Sequence, residues 1–303
     1  MRNFFYHGLG CLILFFSFAT FAKQPVILIP GAASSAGKIT LGKITKVAHL
    51  TGHKYYFSGY KKMFKRWGVQ TLECLTTKDN DERTLIERSK ECIQNLTLFI
   101  IKNNVPRKSL KILGHSMGGN IARLVVNDSF IQEYVDQVLT ISTPHRGTII
   151  ADFGYKQYFE GRNHLSPAYR FIMNTLEMTP KKKGYFMEMF YLRTLPSRYY
   201  IAQDAPMVEG IEYYSISTAI GFPYGDLFHL TWSLINENLQ KANESNSRWG
   251  TMNDGVIPTA SMIHGKHLGH VRGNHAEGLC LGIFKYSRGC TQIKRHLRRF
   301  LKP

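Results

Sequence analysis

The stretch Leu110-Lys111-Ile112-Leu113-Gly114-His115-Ser116-Met117-Gly118-Gly119 constrains this chain more than any other. A short apolar run enters the first glycine, and Ile121, Ala122, Leu124, Val125 and Val126 follow the last at helical spacing. The run reads as a strand that stops at Gly114 and a helix that starts at Gly118, so the turn between them is tight. Glycine suits such a turn, because neighbouring backbone passes where a Cβ would clash.

The same alternation recurs along the chain. Residues 25–30 are continuously apolar and end in Pro30-Gly31, the signature of a strand buried on both faces. Residues 69–74, 138–142 and 212–217 are further strand candidates. Leu85, Cys92, Ile93, Leu96, Phe99 and Ile100 recur at helical spacing before the breaker Asn103-Asn104-Val105-Pro106. Near the end, Ile293, Leu297, Phe300 and Leu301 share a helical face opposite Lys294, Arg295, Arg298, Arg299 and Lys302. Strands alternating with helices predict an α/β fold with a mostly parallel central sheet and helices on both faces. The chain of 303 residues is long enough for one large domain, and 26 Gly and 11 Pro exclude a collagen-like or low-complexity chain. Between 147 and 254 the alternation dissolves, although Tyr185-Phe186-Met187-Glu188-Met189-Phe190-Tyr191-Leu192 is more apolar than a connector needs. A cap or lid inserted at about 150–230 is expected within a domain spanning 23–303.

The amino terminus reads as a cleavable signal peptide over residues 1–22. Arg2 precedes an apolar run at 9–18, small residues stand at Thr20 and Ala22, and the mature chain is expected to begin near Lys23. The run is short for a hydrocarbon core of about 30 Å; an uncleaved anchor and a lipoprotein at Cys11 are the alternatives. A secreted or periplasmic location follows. It leaves Cys74, Cys92, Cys280 and Cys290, an even number in an oxidising compartment. Pairing Cys74 with Cys92 and Cys280 with Cys290 needs the smallest loops; four buried thiols is the alternative.

The net charge of +18 suits an anionic membrane or a negatively charged substrate. The basic residues are scattered and no nucleic-acid motif accompanies them, so no nucleic-acid partner is expected.

Gly114-His115-Ser116-Met117-Gly118, set between strand and helix, has the layout of a nucleophile elbow, which holds a serine hydroxyl exposed above a sheet. The plain alternative is a serine that only caps the helix. A serine hydroxyl needs a base to take its proton, and on such elbows the partners follow in the order serine, acid, histidine. Asn253-Asp254-Gly255 offers an acid in a turn, with Asp204 and Asp226 as rivals; the same residues also make an ordinary turn. His264, His267, His270 and His275 offer the base, with His275 preferred and His270 its main rival. The spacing of the first three suggests a metal site, but no zinc-hydrolase motif accompanies it and none is expected. An oxyanion needs two backbone donors: the Met117 amide and one from the turn Pro30-Gly31-Ala32-Ala33, with Ala32 the natural candidate.

Together these segments resemble the secreted bacterial triacylglycerol lipases of the α/β-hydrolase superfamily. Ile141-Ser142-Thr143-Pro144-His145-Arg146-Gly147-Thr148 is the most specific match. Glu212-Tyr213-Tyr214-Ser215, Asn253-Asp254-Gly255 and Asn274-His275 follow in the family's order, while Pro30-Gly31 stands where the family usually has His-Gly. The resemblance implies the α/β-hydrolase fold, with Ser116 as nucleophile, Asp254 as orienting acid and His275 as base. It implies a lipid ester substrate, triacylglycerol before phospholipid or a soluble ester, and a dedicated foldase as a possible partner. A catalytically silent lipid-binding protein is the alternative from another class. Those lipases hold a structural calcium partly through residues that here are Glu277 and Leu281, with Asp226 loosely aligned as a third. Leu281 brings no oxygen ligand, so calcium is doubtful and no cofactor is expected.

Overall fold

The computed structural model describes residues 23–32, 34–35, 38–39, 55–74, 83–160, 190–194, 201–220, 227–241, 249–280 and 287–302. The expected signal peptide at 1–22 lies outside them, as do Asp226 and Leu281.

Six strands form the central sheet: β1 (Lys23–Ile29), β2 (Val69–Glu73), β3 (Leu110–His115), β4 (Val135–Ile141), β5 (Glu212–Ala219) and β6 (Lys266–Arg272). Their spatial order is β2-β1-β3-β4-β5-β6, and every pairing is parallel. A crossover helix is what parallel neighbours require. The described helices include α1 (Ser58–Arg66), α2 (Leu85–Asn103), α3 (Met117–Val126), α4 (Ile149–Glu160), α5 (Leu227–Lys241) and α6 (Arg288–Phe300).

Alternate residues of β1 feed two separate cores. Ile27 and Ile29 pack with Leu96 and Ile100 of α2 and Ile121 and Val125 of α3. Val26 and Leu28 pack with Tyr60 and Phe64 of α1 and Ile293 and Leu297 of α6. The sheet is therefore covered on both faces, which explains why its inner strands read as continuous apolar runs. Each such Ile or Leu contributes about 1.5–3 kcal/mol by leaving water. Lys111 breaks the apolar run of β3 yet is buried, because its ammonium donates to the carbonyls of Phe300 (2.7 Å) and Lys302 (3.1 Å). It thereby satisfies carbonyls at the end of α6 and sits favourably on that helix's dipole.

Helix α2 begins on a capping box, with Thr84 and Glu87 exchanging side-chain and backbone hydrogen bonds, and ends on Asn104 in the left-handed region (φ 47°). Disulfides join Cys74 to Cys92 and Cys280 to Cys290, the two short-range pairings expected. The first ties the end of β2 to α2. The second ties the segment after His275 to α6.

Two boundaries differ from the sequence reading. Strand β3 continues through Gly114 to His115, since Gly114 and His115 still pair with Thr140 and Ile141 of β4. The insertion expected at about 150–230 is interrupted by the strand read at 212–217, which is β5, residues 212–219, between β4 and β6. Of the described insertion, Leu192, Ile201 and Ala205 join the α2–α3 core, and Arg123 donates to the Ile201 and Ala205 carbonyls. Helices α4 and α5 pack on each other through Ile150, Ile235 and Leu239. Among the described residues, no helix is long and apolar enough to cross a membrane.

Candidate active site

Ser116 stands between β3 and α3 with φ 57° and ψ −136°, a conformation that non-glycine residues rarely adopt and that the surroundings must enforce. The glycines show how. A Cβ on Gly118 would lie 2.0 Å from the Ile29 carbonyl oxygen, one on Gly114 would lie 2.6 Å from Gly119 Cα, and one on Gly119 would lie 2.1 Å from Thr143 Oγ1. Helix α3 can thus press against β1 and the end of β4 only because these positions have no side chain. Ser116 makes no side-chain capping bond to α3, which removes the plain capping alternative.

Its hydroxyl instead meets His275, with Oγ 2.9 Å from Nε2. On the other side of the ring, His275 Nδ1 lies 2.7 Å from Asp254 Oδ2. Since the carboxylate only accepts, Nδ1 carries the proton and Nε2 is left to accept from the serine. Asp254 is fully buried and its acceptor sites are well used. Oδ1 accepts from the Val256 (3.0 Å) and Ile257 (2.8 Å) amides, and Oδ2 also accepts from Thr218 Oγ1 (2.8 Å). The Asn-Asp-Gly turn is therefore both an ordinary Asx turn and a holder of the carboxylate, with Gly255 at φ 87°. The His275 amide also donates to the Asp254 carbonyl (3.0 Å), so the two loops are joined through backbone as well as side chain.

The other face of the site is a chain of buried hydrogen bonds that the sequence did not single out. His115 is buried, and that burial, followed by the neighbouring His275, holds its pKa well below the usual imidazole range. Neutral His115 donates from Nε2 to the His275 carbonyl (3.3 Å) and accepts at Nδ1 from the Tyr56 hydroxyl (2.7 Å). The Tyr56 oxygen in turn receives the Gly31 amide, although burial still raises the phenol's pKa above its ordinary value. The turn after β1 is thereby linked to the backbone of His275 through two side chains and three hydrogen bonds. A Cβ on Gly31 would lie 2.8 Å from Ser116 Cβ, so that turn runs against the serine, with Ala32 next in the chain. Arg88 of α2, also buried, donates to the Pro30 (3.5 Å) and Gly31 (3.2 Å) carbonyls from behind. The carbonyl it draws back belongs to the same trans peptide as the Ala32 N–H, which therefore points the opposite way. Met117 opens α3 directly after Ser116, where the first amides of a helix have no partner within it.

The remaining candidates go elsewhere. Asp204 ends a short helix at Ala202–Asp204 and is exposed. His267 Nε2 and His270 Nδ1 both bond Ser217 Oγ, at 2.9 and 3.2 Å. His264 stacks on His145 at 4.5 Å, so the three regularly spaced histidines do not converge. Burial lowers the pKa of His145, and that of His264 is pushed down to about 4 by burial and then by Arg123 and Arg146. Among the described residues, no group of three metal-ligating side chains comes together. Glu277 Oε1 accepts from the Asn274 amide (3.3 Å), closing the turn that carries His275.

Residues 20–169, just under half of the chain, match the PGAP1-like alpha/beta domain. Triacylglycerol lipase 2 of Saccharomyces cerevisiae is 24% identical over 220 residues, 72% of this chain and 59% of the yeast protein. The GPI inositol-deacylase of Rattus norvegicus is 30% identical over 124 residues, 40% of this chain and 13% of its own. The chain thus spans less than two thirds of the length of these relatives. The mature form of Bacillus licheniformis lipase BlEst2 superposes with a TM-score of 0.63 at 15% identity, covering 93% of both chains. A metagenomic carboxyl esterase superposes at 0.55 and 13% identity, covering 93% of this chain and 76% of its own. The chain has the α/β-hydrolase fold.

Proposed function

We propose that this α/β-hydrolase cleaves carboxylic esters of lipids through an acyl-enzyme. What carries the reading is the unbroken hydrogen-bonded line from Ser116 Oγ to His275 (2.9 Å) and on to Asp254 (2.7 Å). Ser116 attacks the ester carbonyl as His275 Nε2 takes its proton; the imidazolium then returns that proton to the departing alcohol. Water repeats the sequence on the acyl-serine and releases the acid. Asp254 fixes the tautomer and balances the imidazolium. The Ala32 and Met117 amides hold the oxyanion, each worth a few kcal/mol of barrier by analogy with donor deletions in other enzymes, about 2.7–4 kcal/mol.

The lipid substrate rests on the relatives: the yeast protein is named a triacylglycerol lipase and the rat protein an inositol-deacylase, both acyl-ester cleaving names. An acyl chain entering an apolar groove gains about 0.8 kcal/mol per CH2. Triacylglycerol is favoured, with phospholipid next and soluble esters third. No step is routed through a metal: of the places where related lipases hold calcium, Glu277 Oε1 accepts from the Asn274 amide of its own turn and the Leu281 side chain carries no oxygen. The two disulfides suit a secreted or periplasmic enzyme.

A fluorophosphonate probe tests the reading. The intact protein is expected to take one label, mapped by mass spectrometry to Ser116, and Ser116→Ala none. An intact protein that stays unlabelled would leave a silent lipid-binding protein on a hydrolase scaffold.

A further inference from the structure

The charge of this molecule is not spread evenly over the two covered faces of its sheet. Helices α1 (9 residues) and α6 (13 residues) lie on one face, packed into the same core through Tyr60, Phe64, Ile293 and Leu297. Together they carry nine lysines and arginines and no acid, half of the chain's net +18. Helix α2 on the opposite face mixes Glu87 and Glu91 with its cations. The two basic helices meet where the Arg298 guanidinium lies 5.2 Å from the centre of the Trp67 ring, just beyond the end of α1. Lys62, Lys65 and Arg66 of α1 and Arg295, Arg298 and Arg299 of α6 are all exposed. The acid on the neighbouring strand, Glu73, is taken by Lys61 (2.9 Å).

We propose that the α1–α6 face is a docking surface for an anionic lipid bilayer. A broad face of exposed cations, on two helices that carry no acid, matches a layer of anionic headgroups, which attract basic side chains by diffuse field rather than by shape. Trp67, within the patch, lies under Arg298, so its ring is already covered as a base-stacking platform of the kind single-stranded nucleic acids use. The upper ends of both helices border the site. Gly59 packs against the Cys280 carbonyl, Tyr56 precedes α1 and contacts His115, and Cys290 of α6 is bonded to Cys280, five residues after His275. Lys65, Arg66, Arg298 and Arg299 lie in the last turns of the same helices, so the basic face runs from the border of the site away along both helices. The choice of a bilayer among polyanions rests on the lipid-ester reading, whereas the surface itself rests on the charge distribution.

The test uses full-length Ser116→Ala protein, so that binding is read without hydrolysis, and sedimentation with phosphatidylcholine vesicles, with or without phosphatidylglycerol. Binding is expected only to the anionic vesicles and should fade as salt is raised through the range where the Debye length shortens. Each basic residue near such a surface contributes about fivefold (about 1 kcal/mol), so Lys62→Gln, Lys65→Gln, Arg66→Gln and Arg295→Gln combined should weaken binding by about a hundredfold or more. Lys90→Gln, Lys102→Gln, Lys156→Gln and Lys266→Gln combined, the same charge removed from other exposed positions, should change it several-fold at most. Equal weakening by both sets overturns the proposal, as does equal binding to neutral vesicles. So does retention of the protein by duplex DNA as tight as by anionic vesicles at the same salt. Turnover of a soluble ester by the wild type and by the α1–α6 variant carrying Ser116 should be equal, and its absence in both would count against the hydrolase reading alone.

Discussion

The two halves of the site are built in different ways. The half that holds Ser116, β1 with its turn and β3 with α3, is set by local geometry: two strands, one strained residue and three glycines that let backbones touch. The acid–base half, residues 250–280, has little regular structure beyond β6. It is set by a web of polar contacts: Asx turns at Asn253 and Asp254, the Thr218 hydroxyl, a backbone bond from His275 to Asp254 and a disulfide just beyond. The lesson is that the Ser116 hydroxyl is aimed by backbone packing. Its partners, 138 and 159 residues later in the chain, are aimed by hydrogen bonds that satisfy buried groups.

Steric and polar substitutions should therefore act differently on the halves. The largest effect is expected for Gly118→Ala, whose Cβ would enter the Ile29 carbonyl at 2.0 Å. A loss of about 4 kcal/mol or more, seen as a melting temperature lower by about 10 °C, is the expected outcome. Gly68→Ala, where φ is 68° but nothing lies within 4 Å, should cost only about 1 kcal/mol. Equal losses at the two positions would erase the packing argument.

Acid should loosen the polar half first. His264 lies in that half, stacked on His145, and its pKa is pushed down to about 4 by burial and then by Arg123 and Arg146. The unfolded chain holds that proton near pH 6.5 and the folded chain only near 4, so the unfolded state binds more protons between these values. The stability is complete above the unfolded pKa and is lost as pH falls towards the folded one, by up to about 3 kcal/mol. His264→Phe keeps a stacking ring and should flatten the fall in denaturant midpoint between pH 7 and pH 4. Hydrogen exchange should show residues 252–275 opening before α3 over this range.

A smaller effect is expected from Thr218→Val, which removes one of the groups bonded to Asp254 Oδ2 and leaves Ser142 Oγ without its 2.6 Å partner. Stability should fall by about 1–2 kcal/mol. Turnover of a soluble ester should fall about tenfold, because His275 and two amides still hold the carboxylate. A loss as deep as that of Asp254→Ala would make the hydroxyl, rather than the turn amides, the principal holder.

The same division explains what the sequence disclosed. Strands β1, β3 and β4 were legible because both of their faces are buried, and Ser116 because its turn is local. Strand β6, Lys-His-Leu-Gly-His-Val-Arg, lies at the sheet's edge, has few apolar residues and pairs irregularly with β5 near Ser215, so no simple period marks it. That irregularity also brings His267 and His270 to one hydroxyl while His264 turns to His145. Family resemblance set Asp254 and His275 clear of their rivals Asp204, Asp226 and His270, since little that is local distinguishes a carboxylate that will meet a histidine 21 residues on. Tyr56, His115 and Arg88 were not foreseen. A lone buried polar side chain has no pattern, and its partners are carbonyls and amides brought near only by the fold.

The claim that Ser116, His275 and Asp254 act as one unit is tested most directly by a double-mutant cycle on a soluble p-nitrophenyl ester. His275→Ala and Asp254→Ala are each expected to lower kcat by several powers of ten. The double variant should be no slower than the slower single variant, because removing one member already disables the unit. Losses that multiply in the double variant, or near-normal turnover by His275→Ala, would contradict the account.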